Sequence, residues 1–240
     1  MEMTPDEERI AQLAWEYAKK HRTEIARRLT DPAIFIPEDN PVSVFMAGSP
    51  GAGKTEASIE LLNLKGTDGS KVLRIDPDEL REELPGYAGN NAWLFQRAVT
   101  PIVERIHDLA LDQQQSFLLD GTLSSYNVAE KNIKRSLKRS RTVQILYVYQ
   151  VPDQAWKFVQ SRETVDGRRI QPEDFVRQYF AARDAVNALK AQFGKSISVD
   201  LLMKNNDGSH QFYRAGVDQI DNHIPEKYSV DDVRHLIGLI

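Results

Sequence analysis

The strongest constraint in this sequence of 240 residues is one glycine-rich run, Gly48-Ser49-Pro50-Gly51-Ala52-Gly53-Lys54-Thr55. It sits between an apolar stretch, Val42 to Ala47, and a segment of helical character near 54–64. The pattern is G-x-x-x-x-G-K-[ST], in the strand-before, helix-after context that gives it meaning. Glycines let backbone N–H groups turn inward around phosphate oxygens where a side chain would block them. The start of the next helix adds partial positive charge. Lys54 is expected to reach the β- and γ-phosphates, and the Thr55 hydroxyl to ligate magnesium. ATP and Mg2+ are therefore the expected cofactors. A glycine-rich turn that fits the pattern by chance is the alternative, and the matched flanks weigh against it.

Around this loop, short apolar runs alternate with longer helical segments. Strands are expected at Val42 to Ala47, Val72 to Ile75, Phe117 to Asp120, within Thr142 to Val151, and at Ile197 to Met203. Helices are expected near 54–64, over 91–114 with a joint at Thr100-Pro101, after Pro152, and over 173–193. A hairpin through Asn206-Asp207-Gly208 should follow the fifth strand. The alternation predicts an α/β fold: a five-stranded parallel sheet, order 2-3-1-4-5, with helices on both faces.

Ahead of it, Thr4, Pro5 and Glu7 form a helix start with a capping box. Ile10, Leu13, Ala14, Tyr17 and Ala18 recur at helical spacing, and a second helical stretch runs to about Leu29. Residues 31–41, rich in proline, read as a connector. The expected organisation is an N-terminal helical extension and connector over 1–40, then the nucleotide-binding domain over 41–240. The extension reads as a cover for one edge of the core, with an internal inhibitor as the rival reading.

Composition narrows the function classes. Thirty-one basic and 35 acidic residues are well mixed, giving a formal net charge of −4, unlike the basic face of a nucleic-acid binder. The chain has no cysteine, which removes disulfides, thiolate metal sites and a cysteine nucleophile. The five histidines are scattered, without zinc-site spacing. Residues Met1 to Glu8 are acidic where a secretion signal would be basic and then apolar, and no apolar stretch is long enough to span a bilayer. A cytoplasmic protein without a membrane partner is expected.

The reaction class follows from what flanks the loop. Neither an Asn-Lys-x-Asp guanine reader nor a D-x-x-G switch is present. The third strand ends Asp120-Gly121-Thr122, not Asp-Glu as in motor-type ATPases, leaving room for a bound acceptor. This favours a phosphate-loop kinase over a regulatory ATPase. Ligands of parallel sheets sit at the carboxyl ends of strands, so Asp76 and Asp78, just after the second strand, are candidates to orient an acceptor hydroxyl. Asp76, before Pro77, suits a helix cap, which leaves Asp78 as the expected base. Arg162, Arg168 and Arg169 fall in a polar stretch containing Gly167 that reads as a mobile lid. Trp93, Phe95 and Tyr87 could stack on a base or pack in the core.

The ordered set resembles the zeta toxins, phosphate-loop kinases of bacterial toxin–antitoxin systems, over roughly residues 42–215. It comprises the glycine-rich loop, Arg74-Ile75-Asp76-Pro77-Asp78, Asp120-Gly121-Thr122, Tyr147 to Pro152, and the arginine segment ending Arg169-Ile170-Gln171-Pro172. The resemblance implies ATP-dependent phosphorylation of the amino-sugar 3′-hydroxyl of UDP-N-acetylglucosamine. It implies Asp78 as catalytic base, Lys54 and Thr55 as phosphate and magnesium contacts, and Arg162 and Arg169 as phosphate clamps, with Arg168 beside them. It further implies Glu104, sixteen residues before Asp120, and Thr122 as acceptor contacts, and Asp76 and Asp120 are expected to bind the acceptor with them. An antitoxin that blocks the ATP site would be the protein partner. Two departures stand out: Asp120 where relatives often have glutamate, and Leu123-Ser124-Ser125 where they tend to carry an arginine for the acceptor's phosphates. A different acceptor, such as NAD or a metabolite, fits the second departure.

Overall fold

The computed structural model describes residues 3–65, 71–166, 169–205, 210–225 and 227–240. Its centre is a sheet of β1 (Val42–Ala47), β2 (Leu73–Ile75), β3 (Phe117–Leu119), β4 (Thr142–Tyr149), β5 (Ser198–Lys204) and β6 (His210–Arg214). The order is β2-β3-β1-β4-β5-β6. The first five strands are parallel in the expected order, and β6 adds a sixth, antiparallel edge strand on β5. The sheet is thus one strand larger than the sequence reading. The expected turn at 206–208 lies outside the described residues.

Burial on both faces explains the unbroken apolar run of β1, because a parallel strand covered on both sides needs an apolar residue at every position. Val44 and Met46 pack with Ala52, Ala57, Leu118, Leu146, Val148 and Leu202 under α2 (Lys54–Lys65). Phe45 and Ala47 face the larger core, with Phe117, Ile145, Tyr147 and Leu201. That core is roofed by α3 (Gln96–Asp112), α4 (Tyr126–Leu137) and α6 (Pro172–Phe193). A third cluster joins α5 (Pro152–Asp166), α6 and α7 (Val230–Leu236) through Ala155, Val159, Phe175, Tyr179 and Val233.

The extension differs from the expected pair of helices. It is one helix, α1 (Pro5–Leu29), opened by the capping box: Glu7 N–H donates to Thr4 Oγ1 (3.3 Å) and Thr4 N–H to Glu7 Oε2 (2.8 Å). Ala14, Ala18, Ile25 and Ala26 form its buried seam and belong to the same core as the sheet. Leu13 and Tyr17 are exposed instead. Alanines at i and i+4 let α1 lie close against α3, so the seam is narrower than the apolar spacing suggested. The helical joint expected at Pro101 falls earlier, where a 3-10 turn (Ala92–Phe95) passes into α3 at Gln96. Pro101 lies within α3, leaving the Arg97 carbonyl without its usual helical donor. No helix among the described residues is long and apolar enough to cross a membrane.

Candidate active site

At the carboxyl ends of the parallel strands lies one cleft of about 1410 Å³. Its floor is the glycine-rich loop. Gly48 has φ 137°, and a Cβ there would stand 2.3 Å from the Val148 carbonyl oxygen. Gly51 has φ 73°, and its Cβ would stand 2.1 Å from the Ala155 carbonyl oxygen. Both glycines are therefore dictated by the close approach of β4 and α5 and by a left-handed backbone. Pro50, Gly51, Gly53, Lys54 and Thr55 line the cleft, while Ser49 and Ala52 are buried beneath it.

The Lys54 ammonium donates to the carbonyls of Gly48 (3.1 Å) and Ser49 (2.7 Å). Burial pulls its pKa from 10.5 down to about 8; Arg162 pushes the same way, and Asp120 and Asp78 oppose. An arriving phosphate would reverse that shift by supplying negative charge. Thr55 follows it in the first turn of α2. Among the described residues no group of three His, Cys, Asp or Glu could hold a metal ion. A cation here would rest on Thr55 and nucleotide oxygens, as magnesium does when it keeps most of its waters.

Behind the loop is a cation whose role the sequence reading missed. Arg74 lies mid-strand in β2 and donates to Ser58 Oγ (3.0 Å), Asp76 Oδ2 (2.5 Å), Asp120 Oδ2 (2.9 Å) and Glu79. Ser58 Oγ also reaches Asp120 at 3.2 Å. Asp76 and Asp120 are both buried, and Arg74 ties them together. Burial, then the Asp120 charge, raise the Asp76 pKa, against the backbone donor at Asp78 and Arg74. Asp76 also accepts from the Asp78 N–H at 2.8 Å, but the capping position of the following 3-10 helix (Glu79–Glu83) is Asp78 and not Asp76 as expected, and it makes no side-chain capping bond. Both carboxylates line the cleft but are committed to structure.

Asp78 stands differently. It is half-buried at the cleft wall, beside Lys54 and paired with Arg81. Arg81 is itself buried and donates its other terminal nitrogen to Gln96 Oε1 at 3.1 Å. The chain Asp78–Arg81–Gln96 fixes the carboxylate between the loop and the start of α3. Arg162 and Arg169 line the wall of the cleft formed by α5 and the start of α6, and Arg169 lies 3.5 Å from Glu163. Arg162 belongs to the last turns of α5, not to a loop, because the helix continues to Asp166. Arg168 lies outside the described residues. Arg177 and Asp174 of α6, paired at 2.7 Å, complete this wall and were not anticipated.

Thr122 lines the cleft, its hydroxyl 2.9 Å from that of Ser124, and its carbonyl accepts from Gly48 N–H at 3.2 Å. Glu104 does not reach the cleft. Its exposed side chain lies 3.9 Å from Lys131, on the face of α3 away from buried Ile102 and Ile106. A spacing counted along the chain ignores helix phase, and Gln96, two turns earlier, holds the cleft-facing position. Of the three aromatic candidates, Phe95 is fully buried and Tyr87 packs edge-on against it at 5.4 Å. Trp93 alone of the three lines the cleft, 39% exposed.

The family model described as "Zeta toxin" matches residues 25–218. No curated protein sequence matches the chain directly. Among solved structures, one from the PezAT chromosomal toxin–antitoxin system of Streptococcus pneumoniae superposes with TM-score 0.62 at 17% identity, covering 99% of this chain and 89% of that one. An AvrRxo1-ORF1:-ORF2 complex gives TM-score 0.59 at 14% identity, covering 92% of this chain and 72% of that one. The same pair with ATP gives 0.57 at 15%, covering 87% and 66%.

Proposed function

We propose, from the premise that this chain belongs to the zeta toxin family of phosphate-loop kinases, that it transfers the γ-phosphoryl group of ATP to a hydroxyl of a nucleotide-linked small molecule. UDP-N-acetylglucosamine is the first acceptor to test, and NAD the second. The observation that carries this reading is that Lys54, Asp78, Arg162 and Arg169 all face one cleft.

Each side chain has a distinct task. Lys54 and the loop N–H groups hold the phosphates. Thr55 would hold magnesium, which when bound neutralises charge on the phosphate oxygens. Arg162 and Arg169, from the wall formed by α5 and the start of α6, balance the charge of the moving phosphoryl group. Asp78 accepts a hydrogen bond from the acceptor hydroxyl and takes its proton as the new O–P bond forms and the bond from the γ-phosphorus to the β–γ bridging oxygen breaks, leaving ADP on the loop. Arg81 holds that carboxylate in place. Positioning and electrostatics account for the catalysis, as a loose phosphoryl-transfer transition state requires.

Family membership also supports a toxin held in check by a protein partner that covers the ATP side of the cleft. The shared core of α1 and α3 favours α1 as a structural cover rather than that inhibitor. The test is incubation with ATP, Mg2+ and each acceptor, read by mass spectrometry. Gain of one phosphoryl group by a nucleotide-linked acceptor is expected. ATP hydrolysis with every acceptor unmodified would contradict the proposal.

A further inference from the structure

The cleft is larger than one nucleotide needs: small-molecule sites run to roughly 300–1,000 Å³, and this one measures about 1410 Å³. Beyond Asp78 it continues along a wall made by the 3-10 turn Ala92–Phe95, the start of α3 and the first turn of α1. Ala92, Trp93, Gln96 and Glu7 line it. Hydrogen bonding ties this wall to the expected base, since Gln96 accepts from Arg81, which pairs with Asp78. Of the acceptor contacts that the resemblance implied, Thr122 lines the cleft, whereas Glu104 does not reach it and Leu123-Ser124-Ser125 supplies no arginine.

We infer that Trp93 is the acceptor-recognition residue of this cleft, its indole stacking on the planar base of a nucleotide-linked acceptor, with Glu7 closing the outer end. The other two tryptophans, and Tyr87 and Phe95, behave otherwise. Trp15 lies under Arg97 and Lys19, at 4.3 and 5.6 Å from its ring centroid. Tyr87 and Phe95 satisfy one another, and Trp156 packs on Phe175 at 5.1 Å. Trp93 has no aromatic or cationic partner among the described residues, and it is exposed toward the cleft. An indole in that position costs apolar surface unless a planar ligand covers it. Stacking tolerates any base, so uracil and adenine or nicotinamide rings fit equally. Glu7 uses Oε2 in the helix cap, which pins its side chain beside the wall.

This inference rests on the kinase reading but is tested apart from it. Intrinsic fluorescence of the full chain and of the Trp93→Phe form is titrated with UDP, with NAD and with N-acetylglucosamine 1-phosphate, without ATP. Saturable quenching by UDP or NAD that is lost in Trp93→Phe, with none from the base-free sugar phosphate, is expected. Equal quenching in both forms, or equal binding of the base-free sugar phosphate, overturns the inference whether or not phosphoryl transfer is seen. Where an acceptor is phosphorylated, Trp93→Ala should raise its KM on the order of tenfold and leave the KM for ATP unchanged. A loss confined to kcat overturns it as well.

Discussion

The two ends of the cleft are built differently. At the phosphate end, recognition comes from backbone: eight contiguous residues, two of whose glycines are imposed by carbonyls of β4 and α5. At the proposed acceptor end, Asp78, Arg81, Trp93, Gln96 and Glu7 come from four segments and meet only in the folded chain. The first end has little freedom to vary without losing the loop. The second is set by side chains that can change one at a time, so shared membership in a kinase family says much about the donor and little about the acceptor.

Substitutions put that contrast to the test. The largest expected effect is on the phosphate side: Lys54→Ala should lower kcat by at least about 10²–10³-fold, with an unchanged circular dichroism spectrum. A form that turns over normally at saturating ATP would move the donor site elsewhere. Next is Arg74→Ala, which leaves Asp76 and Asp120 buried without their cation. Breaking such a buried pair costs about 3–5 kcal/mol, read as a lower midpoint in urea; an unshifted midpoint would show that the network contributes nothing.

The pH dependence is smaller. In the free protein Lys54 is charged below about pH 8 and neutral above it. Bound phosphate favours the charged form, so ATP affinity should be flat below that pH. Above it, affinity should fall by up to about tenfold per pH unit. Calorimetry across pH 6.5–9.5 in about half-unit steps reads this directly, and a flat profile would contradict the buried setting of the lysine. Smallest is Glu104→Gln, which removes only an exposed pair worth about 0–1 kcal/mol. The acceptor KM should move less than about twofold; a large rise would return Glu104 to the acceptor site.

The same contrast explains what could be read in advance. The loop and the parallel order were legible because contiguous chemistry and strand–helix alternation are properties of the chain itself. Arg74 had a signal that went unused: a charge inside the buried triplet Leu73-Arg74-Ile75 must be paired within the fold. Glu104 was misplaced because spacing from Asp120 says nothing of helix phase. The apolar repeat Ala98, Ile102, Ile106 and Ala110, visible in the sequence, puts position 104 on the outer face. Glu7 had no signal beyond its cap, since its nearness to the cleft depends on α1 lying along α3. The sixth strand was half legible as a hairpin, but its pairing with β5 needed the exposed edge of the sheet.

In the proposed reaction ATP is held by the loop while Asp78 acts on the acceptor, across one cleft. Asp78→Asn separates the two, since the amide keeps size and removes basicity. ATP affinity and phosphoryl transfer would be measured on the same preparation of wild type and variant. Transfer should fall roughly 10²–10⁴-fold with ATP affinity within about twofold of wild type. Undiminished transfer by Asp78→Asn would contradict the role proposed for Asp78.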